Sequence, residues 1–541
     1  MRCILIVCII IFFGNVVDFF AENVYDHVSV DTIMQEKIKS IDSVPSITEI
    51  IYSTPHSISK DSLEIDYGYW MAKLPVDNSK CIVELKKRPL LAVIQVFTLN
   101  TIVWSFDLFV TKGDYARINF HTMEQNLRTG FVWDNDNLST NLFFHPYHGG
   151  LYFSVARSNG LNFWQSVPYA IGGSLMWELF MENEPPAIND WIVTSLGGSC
   201  LGEITWRISD LFIDQSSRGM ERIAREAVIL VVSPMRGLNR LIYGDTWRHS
   251  SCPNHTIDKP ELIFSASLSY RHLAEKINWQ DGARGAQLEL NLVYGNPMDD
   301  FDGKPYSFFV LDAKFNFMTR QPFIGGVCAK ALLWGTHLKS KPNAGVLFGV
   351  FQHFNFQDSN PIKSGDTEIE PYQISEAASF GGGMIYSVPI ASQKLSFFGD
   401  VYINSVLLGA SHTDYYRAIN RDYNFGSGYS FKIIPGISWQ NIGSLRLGVD
   451  RIHLYTWKGY EKELNLSRLS EKEMLYLNVQ GDKGSTALTT ITAEMAIQLY
   501  KNLELNLSGA YYLRHSKYAY LPDVSYGVVE SKVGLIYRLS N

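Results

Sequence analysis

Several signatures are missing from this 541-residue chain. It has no GxSxG elbow, P-loop or dinucleotide fingerprint, so no nucleophile, nucleotide or cofactor site announces itself. It has no HExxH helix and no CxxC pair, and zinc needs three or four ligands at recognisable spacing. Neither a metal nor a cofactor is therefore expected. A basic stripe is also missing. The net charge is −7 with both signs interspersed, which gives no reason to expect nucleic acid as a partner. Charged residues make up only 19% of the chain while aromatics reach 13%. That imbalance suits a large lipid-facing or buried surface.

What is present begins with Arg2, the apolar stretch Cys3 to Phe13, and Ala21. This is the pattern of a secretory signal over residues 1–21, although Phe19 departs from the small residue such a site prefers. The alternative is an uncleaved anchor. Residues 22–85 are polar, lack a sustained period and read as a flexible leader. Beyond the signal, Cys81, Cys200, Cys252 and Cys328 fix no disulfide by their spacing.

Residues 86–250 read as a helical domain. Lys86-Lys87-Arg88 precede the mostly apolar run Pro89 to Val110, about the twenty residues that span a bilayer. Gln95, Asn100 and Asp107 interrupt it, and a mid-helix Asp costs about 2.5–3.5 kcal/mol on insertion. A helix buried in protein, with its polar residues turned to partners, is the expectation. His145-Pro-Tyr-His148-Gly-Gly reads as a turn. Ser166 is expected to cap a helix reaching Met181, and Asn189 one running from Asp190 to Asp214. A third helix runs from Met220 to Ser233. Gly198 and Gly202, one turn apart, form a small-residue stripe for close helix packing.

From residue 260 to 541 the period changes to two. Phe264, Ala266, Leu268 and Tyr270 share one face, opposite Ser265, Ser267, Ser269 and Arg271. Leu288, Leu290 and Leu292 oppose Gln287, Glu289 and Asn291, and Val533, Leu535 and Tyr537 oppose Lys532 and Arg538. Further strands are expected at 309–317, 324–338, 344–357, 376–389, 394–409, 426–439, 444–457, 472–480, 487–500 and 503–508. Many of these runs reach about 9–13 residues, the length of a tilted transmembrane strand. A soluble β-sandwich alternates too, but its strands average about five or six residues. The expected fold class is α+β: a transmembrane antiparallel β-barrel of about twelve strands, with an N-terminal helical domain packed as a plug in or under the lumen.

An ordered set of short motifs adds to this. Asn141-Leu-Phe-Phe-His145-Pro-Tyr-His148-Gly is followed by Tyr152, Arg157-Ser-Asn159-Gly, Trp177-Glu178 and Glu182-Asn-Glu-Pro-Pro186. Asn189-Asp190, Gly197-Gly198, Leu201-Gly202-Glu203, Pro234 and Asn239-Arg240 complete it. Over residues 90–245 this resembles a domain of unknown function found in exported proteins of Gram-negative, Bacteroides-like bacteria. The resemblance implies an outer-membrane location and a barrel-like C-terminal half. It implies no activity.

Two constellations stand out. His145 and His148, with Glu178 and Glu182, are candidates for acid–base catalysis; the bland alternative is turn histidines satisfying backbone groups. Glu203, Arg207, Asp210 and Asp214 share one helix face. With Asp107, Arg157, Asn159, Asn189, Asp190, Arg222, Glu226 and Arg240 they make a candidate polar network, expected to lock the helices together and onto the barrel's inner wall. An anionic-headgroup site is the alternative for its arginines. The partners expected are outer-membrane lipid and an amphipathic ligand; no oligomeric state is indicated. The functions expected are passage or handling of an amphipathic envelope molecule, or envelope scaffolding. The alternatives are a membrane-embedded lipid hydrolase or transferase, and a polytopic inner-membrane protein.

Overall fold

The computed structural model describes residues 82–540, apart from 134–136, 258–259, 276–280, 342–343, 391–393, 416–421, 471–472, 475–476 and 478–480. The expected signal, most of the expected leader, and Cys81 lie outside the described residues.

Twelve strands close into a barrel. They are β1 (Leu262–Ala274), β2 (Ala283–Tyr294), β3 (Phe309–Phe317), β4 (Ile324–Lys341) and β5 (Ala344–Gln357), then β8 (Ile374–Ile390), β9 (Leu395–His412), β10 (Tyr423–Trp439), β11 (Gly443–Thr456), β12 (Gly484–Tyr500), β13 (Leu503–Tyr518) and β14 (Val524–Ser540). Each pairs antiparallel with its neighbours, and β1 closes on β14. Between β5 and β8 lies a small hairpin, β6 (Ile362–Ser364) and β7 (Thr367–Ile369). Of the strand expected at 472–480, Glu473 and Met474 are helical, Leu477 is in neither helix nor strand, and the remaining positions lie outside the described residues.

The period of two sets the two faces of the wall. Leu268 and Tyr270 point outward and are 59% and 51% exposed, while Ser267, Ser269 and Arg271 are buried. Val533, Leu535 and Tyr537 continue the outward apolar belt. Inward charges meet across strands that are not neighbours: Lys330 on β4 reaches Asp400 on β9 at 2.5 Å, and Lys432 on β10 reaches Glu376 on β8 at 2.6 Å. Arg271 donates to Glu530 at 2.6 Å, and Lys532 meets Glu289 at 3.2 Å. A charge withdrawn from water must be paired, and these are.

The helical block comprises α1 (Pro89–Phe106), α2 (Phe120–Thr129), α3 (His145–Ser158), α4 (Phe163–Phe180), α5 (Ile188–Ile192), α6 (Gly198–Asp210), α7 (Gly219–Val232) and α8 (Pro234–Ile242). The stretch expected as a turn at His145 is helical: a π-helical turn at Thr140–Phe144 runs directly into α3, and Pro146 is the second residue of α3. Asn162, not Ser166, caps α4, through a capping box with Gln165. Asn189 caps nothing: it lies inside α5, which passes through a π-helical turn at Val193–Gly197 into α6. Among the described residues, Pro89–Thr111 is the one helical stretch long and apolar enough to cross a membrane. It is not buried as expected. Only the narrow face of Ala92, Val96 and Asn100 is buried, where Asn100 donates to the Gly173 carbonyl at 3.0 Å, while Leu90, Val93, Ile94, Phe97 and Ile102 are exposed.

The position expected for this block, as a plug in or under the lumen, needs correction. The block lies against the outside of the barrel wall. Asn355 points inward, to Cys328 at 2.9 Å and Glu376 at 3.3 Å, so its neighbour Phe356 points outward. Phe356 meets Phe143 of the block, ring centroids 5.7 Å apart. The outward Phe425 meets Trp133 at 5.5 Å, and Asn141 donates to the outward Tyr423 hydroxyl at 2.5 Å. Gln352, also outward, donates to the Leu196 carbonyl at 2.9 Å. The physical reason is twofold. Ala329, Ala331 and Ala377 leave a shallow trough on this part of the wall, and a Cβ on Gly197 would come within 3.1 Å of the Ala377 carbonyl. The lumen, meanwhile, holds its own ion pairs and the β6–β7 hairpin. Ile362, Ile369 and Tyr372 pack there with Leu273, Val406, Leu454, Leu488 and Tyr512.

Candidate functional site

Close packing of α3 on α6 builds the block's interior. Gly149 and Gly150 face Gly198 and Gly202. A Cβ on Gly149 would lie 1.7 Å from the Thr194 carbonyl oxygen, and one on Gly198 would lie 2.5 Å from the Gly149 carbonyl carbon. The stripe expected at Gly198 and Gly202 is therefore real, and the Gly149-Gly150 pair is the partner that sequence reasoning missed. The doublet was visible but was read as turn chemistry.

Around this contact two polar clusters form. In the first, His145 lies 3.7 Å from Asp190 (Nε2 to Oδ1), and Asn189 donates to the same Asp190 oxygen at 2.7 Å. The His148 ring packs against Tyr152 at 4.6 Å and against Trp177 at 5.5 Å. Its Nε2 is buried without a hydrogen-bond partner among the described residues, an environment that favours the neutral ring. The Tyr152 hydroxyl donates to Asn100. Glu178 is buried, and its Oε2 accepts the Ala187 backbone N–H at 2.7 Å. Glu182 is tied in through its backbone carbonyl, which accepts from Asn126 at 2.9 Å. The four proposed acid–base residues thus sit on neighbouring elements, but Glu178 spends an oxygen holding the α4–α5 loop.

The second cluster is the arginine network. Glu203 on α6 takes Arg157 at 2.6 and 3.1 Å and Arg207 at 2.8 Å. Arg207 also donates to the Pro305 carbonyl at 2.8 Å, in the loop between β2 and β3. Tyr306 beside it donates to Gln352 at 2.8 Å and stacks on Phe163 at 5.2 Å. Asp210 accepts Arg236, Thr256 and the Ile257 N–H, tying α6 to the segment that enters β1. Burial alone would raise the Asp210 carboxyl, but the Arg236 charge and the Thr256 hydrogen bonds outweigh it and hold it below the usual range. The Trp206 indole lies between the Arg157 and Arg236 guanidinium groups, at 3.9 and 4.2 Å. Glu226 binds Arg240 at 2.6 Å and Arg222 at 3.0 Å. Asn159 links α3 to Gln95 at 2.6 Å and to the Tyr243 hydroxyl at 2.6 Å.

The network expectation is corrected in two respects. It locks helices to each other, to the loop between β2 and β3 and to the segment that enters β1, not to the inner wall. Asp107 stands apart from it, bonding locally with Tyr115 and Thr111. Arg236 and Tyr306 are members that sequence reasoning missed. Asn100, expected to turn to a partner, does so in the first cluster, with Tyr152 and the Gly173 carbonyl. Among the described residues no group of three His, Cys, Asp or Glu is placed to hold a metal ion.

Residues 130–235, which hold both clusters except for their outer members, match the family model described as a domain of unknown function (DUF3943). No curated protein matches the chain. Solved structures similar to the barrel half are themselves barrels. The NanC porin is 8% identical, with 52% of this chain covering all of that one at a TM-score of 0.24. The COG4313 outer membrane channel from Pseudomonas putida F1 is 8% identical, over 52% of this chain and 97% of its own, at 0.23. The translocator domain of the autotransporter NalP from Neisseria meningitidis is 10% identical, over 57% and 95%, at 0.21.

Proposed function

We propose that this is a bacterial outer-membrane protein whose barrel anchors the helical block at the level of the bilayer. In this reading the block handles an amphipathic envelope molecule that reaches it from the lipid side. The observation that carries the reading is the docking of the block on outward-facing wall positions, next to the bare apolar belt. On α1 the apolar residues Phe97, Ile102 and Phe106 are exposed as well. Behind them lies a core rich in hydrogen-bonding groups and guanidinium charge. An amphipath would meet apolar surface first and cations second, the order in which acyl chain and headgroup present themselves. Four of the five turns at one rim are short, as between β10 and β11 or β12 and β13, the β2–β3 loop being the exception, and both barrel ends, Leu262 and Ser540, lie there. That rim would face the periplasm.

The test places a photo-crosslinking residue at Phe97 or Ile102 in cells. The expected result is adducts with lipid, in outer-membrane fractions that show heat-modifiable gel mobility. Adducts with water only, or recovery with the inner membrane, would refute the reading. The hydrolase or transferase alternative is tested by replacing His145, His148, Glu178 and Glu182 with Ala. Unchanged lipid composition with lost barrier properties would remove the enzyme and keep the handling role.

A further inference from the structure

We propose that the barrel lumen is a conduit for small inorganic ions, and that the β6–β7 hairpin keeps it shut. The proposal is independent of the role given to the helical block.

The hairpin is placed to close the lumen and built to leave it. Its side chains Ile362 and Ile369, with Tyr372 just beyond, fill the mouth and join wall residues from β1, β8, β9 and β11–β14 into one buried cluster. The Tyr372 ring stacks on Tyr512 at 4.4 Å, and its hydroxyl takes Arg271 at 2.6 Å. The other large lumen cluster, around Leu347, Phe351 and Tyr402, draws on wall strands and the β2–β3 loop. In the first cluster the hairpin is thus the element that is not part of the wall. It takes no part in the barrel ladder. Gln357 pairs with Ile374 across the β5–β8 seam, so the wall is complete without residues 358–373. Its ties to the rim are polar: Gly282 N–H to the Lys363 carbonyl at 3.0 Å, Gln321 to the Asn360 carbonyl at 3.1 Å, Asp358 N–H to the Gly325 carbonyl at 3.3 Å, Ser364 to Glu275, His412 to Glu370 at 3.8 Å, and an exposed Arg320–Glu368 pair at 3.5 Å.

Behind the hairpin, beside the apolar cluster around Leu347, Phe351 and Tyr402, the lining carries charges of both signs. Lys432 and Glu376 face each other there. His353, about 1% exposed, has both ring nitrogens without partners among the described residues, as do the Ser379 hydroxyl and Asp450 Oδ1. In a dry core each such unpaired atom carries the cost of its lost hydration. A hydrated passage removes that cost, and a lining of both signs favours neither cation nor anion strongly.

The test is conductance in planar lipid bilayers with potassium chloride as the probe. The wild-type protein is compared with a variant in which residues 361–370 are replaced by a short Gly-Ser link. Steady conductance on the order of tenfold above wild type is expected. A second variant, Ile362→Asp with Ile369→Asp, keeps every residue of the ladder and should also conduct. Adding Glu275→Cys with Ser364→Cys to it should close the pore on oxidation and reopen it on reduction. If either hairpin variant folds, by heat-modifiable mobility, and conducts no more than wild type, the proposal is wrong.

Discussion

The outer face of the barrel has two regions that the period of two cannot tell apart. On one, Leu268, Tyr270, Ile491, Val533 and Leu535 point outward, large and exposed. On the other, Ala329, Ala331, Gln352, Phe356 and Ala377 point outward just as regularly, yet all are buried. Both alternate with inward polar residues. The difference is in size and polarity: bulky apolar side chains where the wall is bare, alanines and an amide where α3, α6 and their flanks lie against it. Lipid rewards apolar area without asking for shape. A protein surface rewards close approach and hydrogen bonds, so a docking face can afford to be small-featured.

Breaking the covered region should loosen the block and spare the barrel. Glu203→Ala would leave Arg157 and Arg207 buried without their shared carboxylate, a loss of about 3–5 kcal/mol. Limited proteolysis should then cut within residues 120–245 while heat-modifiable mobility persists. Gly149→Leu forces α3 off α6, because its Cβ would land on the Thr194 carbonyl. We expect about 1–3 kcal/mol or more, read as a lower denaturant midpoint for the block's tryptophan fluorescence.

A paired exchange sharpens the contrast. Ala331→Leu fills the trough and should weaken docking by about 1–3 kcal/mol, whereas Leu535→Ala on the bare side should stay within about 0.5 kcal/mol. Equal effects of the two substitutions would mean that the regions do not differ. The smallest effect is acid sensitivity. The Asp210 carboxyl is held below its ordinary value in the fold. Its contribution is therefore present above the unfolded carboxylate range and is lost only as pH falls through that lower folded value. Asp210→Asn should flatten the acid limb of the block's stability curve and leave pH 6–8 behaviour in shape unchanged.

Much of this was legible in the residues. The strand faces were, because alternation is a local signal: Ser265, Ser267, Ser269 and Arg271 line the lumen as their pattern required. The glycine stripe and the shared face of Glu203, Arg207 and Asp210 were too. The docking side was not. Ala329 and Ala331 are ordinary strand residues until something covers them, and an alanine in a strand carries no mark of its neighbour. His145 was misplaced because His-Pro-x-His-Gly-Gly has turn composition, yet the same glycines are what let α3 lie on α6. The inward hairpin was hidden for a similar reason: residues 358–373 have the polarity of a surface loop, with Ile362, Ile369 and Tyr372 spaced among them.

The central claim is that the helices sit on the outside of the wall. Asn355 and Phe356 are consecutive and point to opposite sides, so a cysteine at each can be paired in turn with Phe143→Cys and treated with a short thiol crosslinker. Phe143→Cys should join Phe356→Cys and fail to join Asn355→Cys in intact cells. Joining at 355 and failure at 356 would place the helices in the lumen and contradict the account.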